Sequence, residues 1–179
     1  EQFERIRRAF APVNPLICFA MKTNDNTAVV KALVDQGAGC DIVSGGELYK
    51  ARKVKADPKK IVFASVGKTE QEIRDGLKAG ILLFNVESRQ ELDEINRIAK
   101  AMRKRARVAL RINPDVPAAT HDHITTGTLR KKFGLDLETA EKIMLDRRHF
   151  DRIDFKGVHI HIGSQITTVK PYVDSVKKV

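Results

Sequence analysis

Leu16-Ile17-Cys18-Phe19-Ala20-Met21-Lys22-Thr23-Asn24-Asp25-Asn26 decides between the two architectures open to this chain. An apolar run of strand length ends at a lysine and passes into polar residues without a single glycine. From about Thr27 to Gln36, Val29, Val30, Leu33 and Val34 follow the period of an amphipathic helix, and Gly37 supplies the stop. A strand feeding a helix belongs either to an open doubly wound sheet or to a (β/α)8 barrel. The dinucleotide-binding version of the open sheet needs GxGxxG at this junction, so that backbone can approach a pyrophosphate. Here the junction offers an amine and polar side chains instead. That suits a barrel, in which every strand ends at one common mouth.

The same alternation continues along the chain. Asp41-Ile42-Val43 precedes a helix from Glu47 to Lys55, and Ile61-Val62-Phe63-Ala64 precedes one running through Ile73 and Leu77 to Gly80. Ile81 to Val86 leads into Ser88 to Lys104, where Ser88 and Glu91 have the spacing of a capping box. Val108 to Ile112 is followed by a long connection and a helix from about Leu137 to Leu145. Phe155 to Ile162 forms a sixth strand, and a last helix begins near Pro171. Strands recurring roughly every 20 to 25 residues between helices predict a parallel sheet with right-handed crossovers. Polar residues close nearly every strand, again as in a barrel. A closed barrel needs eight units and typically about 250 residues. The expectation is therefore a β/α barrel domain over residues 1–179 that is incomplete, with about six units.

The 179 residues carry 33 Lys and Arg against 23 Asp and Glu, a formal charge of +10. Most of these charges alternate in sign along helices, as in Gln90-Glu91-Leu92-Asp93-Glu94-Ile95-Asn96-Arg97. The basic runs are short, and no aromatic residues interleave them as a base-stacking surface requires. Nucleic acid is not the expected partner; the charge suits anionic small molecules. No run approaches the roughly 18 apolar residues of a membrane span. The opening Glu1-Gln2-Phe3-Glu4-Arg5 does not read as a signal peptide, which points to the cytoplasm. Cys18 and Cys40 lack metal-type or CxxC spacing and read as buried free thiols.

Individual residues carry a chemical signal. A lysine closing an apolar strand sits near low-dielectric surroundings, where it gives up its proton and acts as a nucleophile. Lys22 is so placed. Asp41 and Val43 share one face, and Glu47 follows Gly45-Gly46 at a helix start. That pair of glycines reads either as room for a ligand or as a turn with Glu47 complementing the helix dipole. Arg111, on one face with Asn113, needs an anionic partner, either a carboxylate or a ligand. His159 and His161 share a face of strand six and lead into Gly163-Ser164, a pair whose backbone N–H and hydroxyl suit a phosphate. A zinc ion finds no third ligand at convincing spacing. The connection from Asn113 to Lys132 carries Thr120-His121 and Thr125-Thr126-Gly127, more polar chemistry than a tether needs.

Six segments, in this order, resemble the barrel domain of the PLP-dependent ornithine/diaminopimelate/arginine decarboxylase family, which is alanine-racemase-like. They are Phe19-Ala20-Met21-Lys22-Thr23-Asn24, Asp41-Ile42-Val43-Ser44-Gly45-Gly46-Glu47-Leu48, Phe84-Asn85-Val86-Glu87-Ser88, Leu110-Arg111-Ile112-Asn113-Pro114, Lys132-Phe133-Gly134 and His159-Ile160-His161-Ile162-Gly163-Ser164-Gln165. Ser44-Gly45-Gly46-Glu47 and Thr120-His121 with Ile124-Thr125-Thr126-Gly127 resemble the diaminopimelate branch more than the ornithine or arginine branches. The resemblance implies pyridoxal 5'-phosphate as cofactor, Lys22 as its Schiff-base lysine and His161 as the ring that stacks on it. It implies that Ser164 helps hold the phosphate and that Asp41, Glu47 and Arg111 line the site. The implied reaction removes the carboxylate at the D-centre of meso-diaminopimelate to give L-lysine, in a homodimer. A relative acting on ornithine, arginine or carboxynorspermidine, or a non-catalytic regulatory relative that binds the cofactor, stands as the alternative.

Phe19 and Thr23 replace the Tyr and Ala often found beside the lysine in that family. The resemblance also implies parts beyond Val179: a glycine-rich phosphate loop, a glutamate for the pyridine nitrogen, and a C-terminal β-domain that contacts substrate across the dimer. The 179-residue chain alone is accordingly expected neither to decarboxylate nor to stay monodisperse.

Overall fold

The computed structural model describes residues 1–116, 133–164 and 166–179. Helix α1 spans Gln2–Ala9, and strand β1, Cys18–Ala20, runs directly into a short 3-10 turn, Met21–Thr23. Then come α2 (Thr27–Val34), β2 (Gly39–Ile42), α3 (Gly45–Lys53), β3 (Ile61–Ala64), α4 (Glu70–Ala79), β4 (Leu83–Val86), α5 (Arg89–Ala101), β5 (Ala106–Ile112), α6 (Leu137–Leu145), β6 (Ile153–Ile160) and α7 (Lys170–Lys178).

Among the described residues the strands form one six-stranded sheet in the order β1-β2-β3-β4-β5-β6, every neighbouring pair parallel. This sequential order separates the two architectures left open by the sequence. A doubly wound sheet reverses its strand order part-way and so receives helices on both faces. Steady progress with right-handed crossovers puts all connecting helices on one face, as in a barrel wall. The expected β/α barrel topology is therefore observed, as six units of it.

Side-chain alternation gives the sheet two faces of different character. Cys40, Ile42, Ile61, Phe63, Phe84, Val86, Val108, Leu110 and Ile112 are buried and share a core with Val30, Leu48, Ile73, Leu77, Leu92, Ile95, Ile98 and Ile143 from the helices. Phe63 and Phe84 stack at its centre with ring centroids 6.1 Å apart. Helix α4 reaches the sheet closely because Gly76 has no side chain: a Cβ there would lie 2.7 Å from the Phe84 ring.

One irregularity changes which residues of β6 face which way. Between Val108 and Ala109 of β5 the register against β6 shifts: Val108 pairs with Phe155, but Ala109 pairs with Gly157. The extra residue, Lys156, is a β-bulge, and it reverses the alternation of the strand. Before it, odd-numbered Ile153 and Phe155 pack with the helix-side core. After it, odd-numbered His159 pairs with Arg111 on the opposite face.

Several boundaries differ from the sequence expectation. β1 is shorter than the Leu16–Lys22 run and β6 begins two residues earlier than Phe155. The reciprocal capping box is at Thr69 and Glu72, not at Ser88 and Glu91. Ser88 does cap α5 by accepting from the Glu91 N–H, but the Glu91 carboxylate turns to the N–H of Glu87 instead. Cys18 and Cys40 are both free; Cys40 is buried as expected, while Cys18 is only half-buried. Burial pushes their thiols up to about 12 and about 11, which keeps both protonated at neutral pH.

Candidate active site

The face of the sheet turned away from the helices is built in rows set by strand register. Ala20, Asp41, Val62 and Leu83 form one row, and Ala64, Asn85, Ala109 and Gly157 the next. Arg111 and His159 pair in a third, towards the strand ends. The alanines and glycine leave a low floor, with charged and polar side chains standing around it.

Lys22 does not end a strand as expected; it lies in the 3-10 turn that follows β1, and it is exposed. The turn is held by the Thr23 hydroxyl, which donates to the Ala20 carbonyl at 2.8 Å. The low-dielectric surroundings inferred from its apolar neighbours are thus not those of this side chain. Its charge still reaches the site, since it acts on both Asp41 and His161.

Asp41 is half-buried, and burial raises its carboxyl above the ordinary range; Lys22 opposes this, Glu47 adds to it, and Arg111 opposes it again. Glu47 is 8% exposed and braces the start of α3: its carboxylate accepts from the Val43 N–H at 2.7 Å, and its own N–H donates to the Ser44 hydroxyl at 3.2 Å. The Gly45 N–H donates to Glu72 at 2.7 Å, and a Cβ on Gly45 would meet that side chain at 3.2 Å. Of the two readings of Gly45-Gly46, the helix-start reading is the one with visible contacts.

Arg111 has its anionic partner. Its Nη1 donates to both carboxylate oxygens of Glu87 at 2.7 Å, with side chains 12% and 5% exposed. The sequence reading left Glu87 inside a family motif without a role. It also passed over Lys68, whose side chain is fully buried and bonded to Glu91 at 2.6 Å. In sequence, Lys68 looks like any lysine of a turn.

His159 lies beside Arg111. Burial pulls its imidazole down to about 4, helped by the charges of Arg111, His161 and Lys68, so it is neutral at neutral pH. His161 lies just past β6, is exposed, and is lowered by burial first and then by Arg111 and Lys22. Ser164 follows in an exposed bend after Gly163, whose φ of 145° suits glycine. Thr120-His121 and Thr125-Thr126-Gly127, together with Lys132 and Gln165, fall outside the described residues.

The low value for His159 sets a pH dependence. With a folded pKa of about 4 and an unfolded value of about 6.5, the unfolded chain takes the proton first. The stability contribution is complete above pH about 6.5 and is lost as pH falls towards about 4, on the order of 1–2 kcal/mol after discounting for partial exposure. Asp41, raised, shifts stability in the opposite sense and offsets part of this. The expected result is a urea midpoint that falls between pH 7 and pH 5, and falls less in His159→Gln. Equal falls in parent and variant would contradict the assignment.

The donor set suits a pyridoxal-type cofactor. It combines an accessible amine, an arginine and carboxylates around a low floor. Among the described residues, Asp41 Oδ1, Arg111 Nε and His159 Nδ1 are buried polar atoms without a hydrogen-bond partner. Leaving such atoms unpaired is costly, and a polar ligand seated on this face would satisfy them; Arg152 Nε, near the start of β6, is a fourth such atom away from this group. The described residues contain no cluster of three or more metal-ligating side chains.

Comparison with known families agrees with this geometry. The model of the pyridoxal-dependent decarboxylase family, pyridoxal binding domain, matches residues 1–179. The chain belongs to this family. A diaminopimelate decarboxylase from Aquifex aeolicus is 50% identical over 179 residues, which is all of this chain and 42% of the relative. The crystal structure of diaminopimelate decarboxylase from Methanocaldococcus jannaschii superposes with a TM-score of 0.88 at 40% identity, over 99% of this chain and 43% of that one. The enzyme from Helicobacter pylori, crystallised with L-lysine, gives a TM-score of 0.86 at 37% identity, over 98% of this chain and 46% of that one. The chain thus spans less than half the length of these pyridoxal-dependent relatives. Within the family, the sheet and its helices are the pyridoxal-binding barrel domain, and pyridoxal phosphate is the family's cofactor.

Proposed function

We propose that the complete protein is a pyridoxal-phosphate-dependent decarboxylase of meso-diaminopimelate that forms L-lysine, with Lys22 carrying the cofactor. The observation that carries this reading is the meeting of Lys22, Asp41, Arg111 with Glu87, and His159 at one end and on one face of a sequential parallel sheet. The naming of the 50% identical relative supports the choice of substrate.

Pyridoxal phosphate, when bound, supplies an electron sink for the electron pair left as the carboxylate departs. Lys22 contributes the nucleophilic amine, presented by a turn at the floor's edge where it can swing towards a ligand or solvent. Arg111 presents a positive charge whose direction is fixed by Glu87, and so orients an anionic group. Neutral His159 offers its unpaired Nδ1 without adding charge. We assign His161 to the exposed ring that covers the cofactor, Asp41 and Glu47 to the lining of its site, and Ser164 to its phosphate. The domain is the pyridoxal-binding part of a longer enzyme, which pairs with a second copy and works in the cytoplasm. No described helix is long and apolar enough to cross a membrane.

The experiment uses the complete protein incubated with pyridoxal phosphate, reduced with borohydride and mapped by mass spectrometry, alongside CO2 release from meso-diaminopimelate. The expected result is a cofactor mass on the Lys22 peptide, absent in Lys22→Ala, and CO2 release lost in the same variant. Label on Lys22 with CO2 from ornithine or arginine alone would move the substrate assignment. Label on another lysine would overturn the role of Lys22.

A further inference from the structure

Lys68 is buried in a way that a lysine rarely is. Its side chain is fully inaccessible, and its Nζ donates to the Ser65 carbonyl at 2.8 Å, the Asn85 carbonyl at 2.7 Å and Glu91 Oε1 at 2.6 Å. An ammonium has three donors, and all three are used. The Phe63 ring lies 5.7 Å away and closes the site from the core side. Burial pulls the ammonium below the usual lysine range, and Glu91 opposes that pull.

These contacts lead in one direction. The second oxygen of Glu91, Oε2, accepts from the Glu87 N–H at 2.7 Å. Lys68 therefore grips the segment from β4 into α5 twice: directly at Asn85, and through Glu91 at Glu87. Between those points the chain presents the Glu87 carboxylate, which takes Arg111 Nη1 on both oxygens. Ser88 caps α5 by accepting from the Glu91 N–H at 3.2 Å, so the carboxylate of Glu91 is not needed to begin the helix. Burying a charged pair is costly, and well-packed apolar residues would hold the fold as well. What apolar residues cannot do is fix a carbonyl and an N–H to within hydrogen-bond tolerance next to a charged ligand-facing pair.

We propose that Lys68 is a positioning residue of the decarboxylase site: through Asn85, Glu91 and Glu87 it sets the direction of Arg111 on the ligand face. The proposal rests on the functional reading above. It excludes a general anchoring role, in which loss of Lys68 would weaken the fold without acting through Arg111.

A double-mutant cycle on the complete protein separates the two. Pyridoxal phosphate affinity is titrated for the parent, Lys68→Met, Arg111→Lys and the double variant, well below each melting temperature. The expected result is a loss of tenfold or more in each single variant and no further loss in the double beyond the larger single. Losses that multiply in the double variant, or an unchanged affinity in Lys68→Met, would overturn the proposal. If Lys68→Met fails to fold, Glu91→Gln takes its place in the cycle, keeping the shape while weakening the grip, and the same two outcomes decide. A parent protein that does not bind the cofactor at all would instead defeat the functional reading, so the two failures are distinct.

Discussion

Arg111→Met lowers the melting temperature by about 10 °C or more, the equivalent of roughly 3–5 kcal/mol. The reason is what the substitution leaves behind. Glu87 is 5% exposed at its side chain, and both its carboxylate oxygens accept from Arg111 Nη1. Without the guanidinium, the buried carboxylate is left, among the described residues, with the more distant Lys68, which is itself committed to Glu91, and with His161. Breaking one side of such a pair costs far more than the pair contributes, since the residual charge is desolvated and unpaired. The companion expectation is sharper: Arg111→Met with Glu87→Met recovers most of the lost stability while leaving the site without its anion-directing charge. Differential scanning calorimetry of the three proteins checks both. A double variant as unstable as the single one would mean that the pair holds the fold together by attraction.

Gly39→Ala is the second severe substitution, and it acts by crowding. Gly39 begins β2 opposite Cys18 of β1. A Cβ there would lie 2.4 Å from the Lys60 carbonyl oxygen and 2.7 Å from Cys18 Sγ. The sulfur can rotate away, but the carbonyl belongs to the backbone entering β3. Relief therefore requires moving one strand of a hydrogen-bonded parallel sheet against another. The expected loss is about 3 kcal/mol, or a fall of roughly 6–12 °C. Gly67→Ala is the matched control, because its Cβ would meet nothing within 4 Å. Cys18→Ala added to Gly39→Ala recovers only part of the loss. Full recovery would show that the sulfur alone was the obstacle.

The sequence revealed the sheet well because periodicity reports burial, and burial here is simple. Ile61-Val62-Phe63-Ala64 is a strand with the predicted bounds, and Leu137–Leu145 a helix with the predicted bounds. The absence of GxGxxG after the first strand favoured a barrel over a dinucleotide-binding sheet, and the strand order is the sequential one of a barrel wall. Less legible were features that depend on a partner distant in sequence. Lys68 meets Glu91 across 23 residues and Arg111 meets Glu87 across 24, and nothing local in the sequence pairs either carboxylate with its cation. Glu91 shows this in detail: its spacing from Ser88 suggested a reciprocal cap, but Lys68 and the Glu87 N–H claim its carboxylate. The bulge at Lys156 was equally hidden, with Gly157 as its one local sign. Strict alternation places His159 and His161 together without showing that Phe155, also odd-numbered, lies on the other face.

Because successive strand residues face opposite ways, the side chains that fold this domain and those that meet its ligand are nearly separate sets. Ile42, Phe63, Phe84 and Leu110 can stay as they are while Asp41, Ala64, Asn85 and Ala109 change beside them. Most exchanges on the ligand face leave the packing of the helices untouched, so selection can alter the chemistry without first rescuing the scaffold. The exceptions are the charged anchors around Arg111, where evolution must change at least two positions together. Such an architecture is free to explore new substrates one residue at a time, and conservative where it keeps its buried charges.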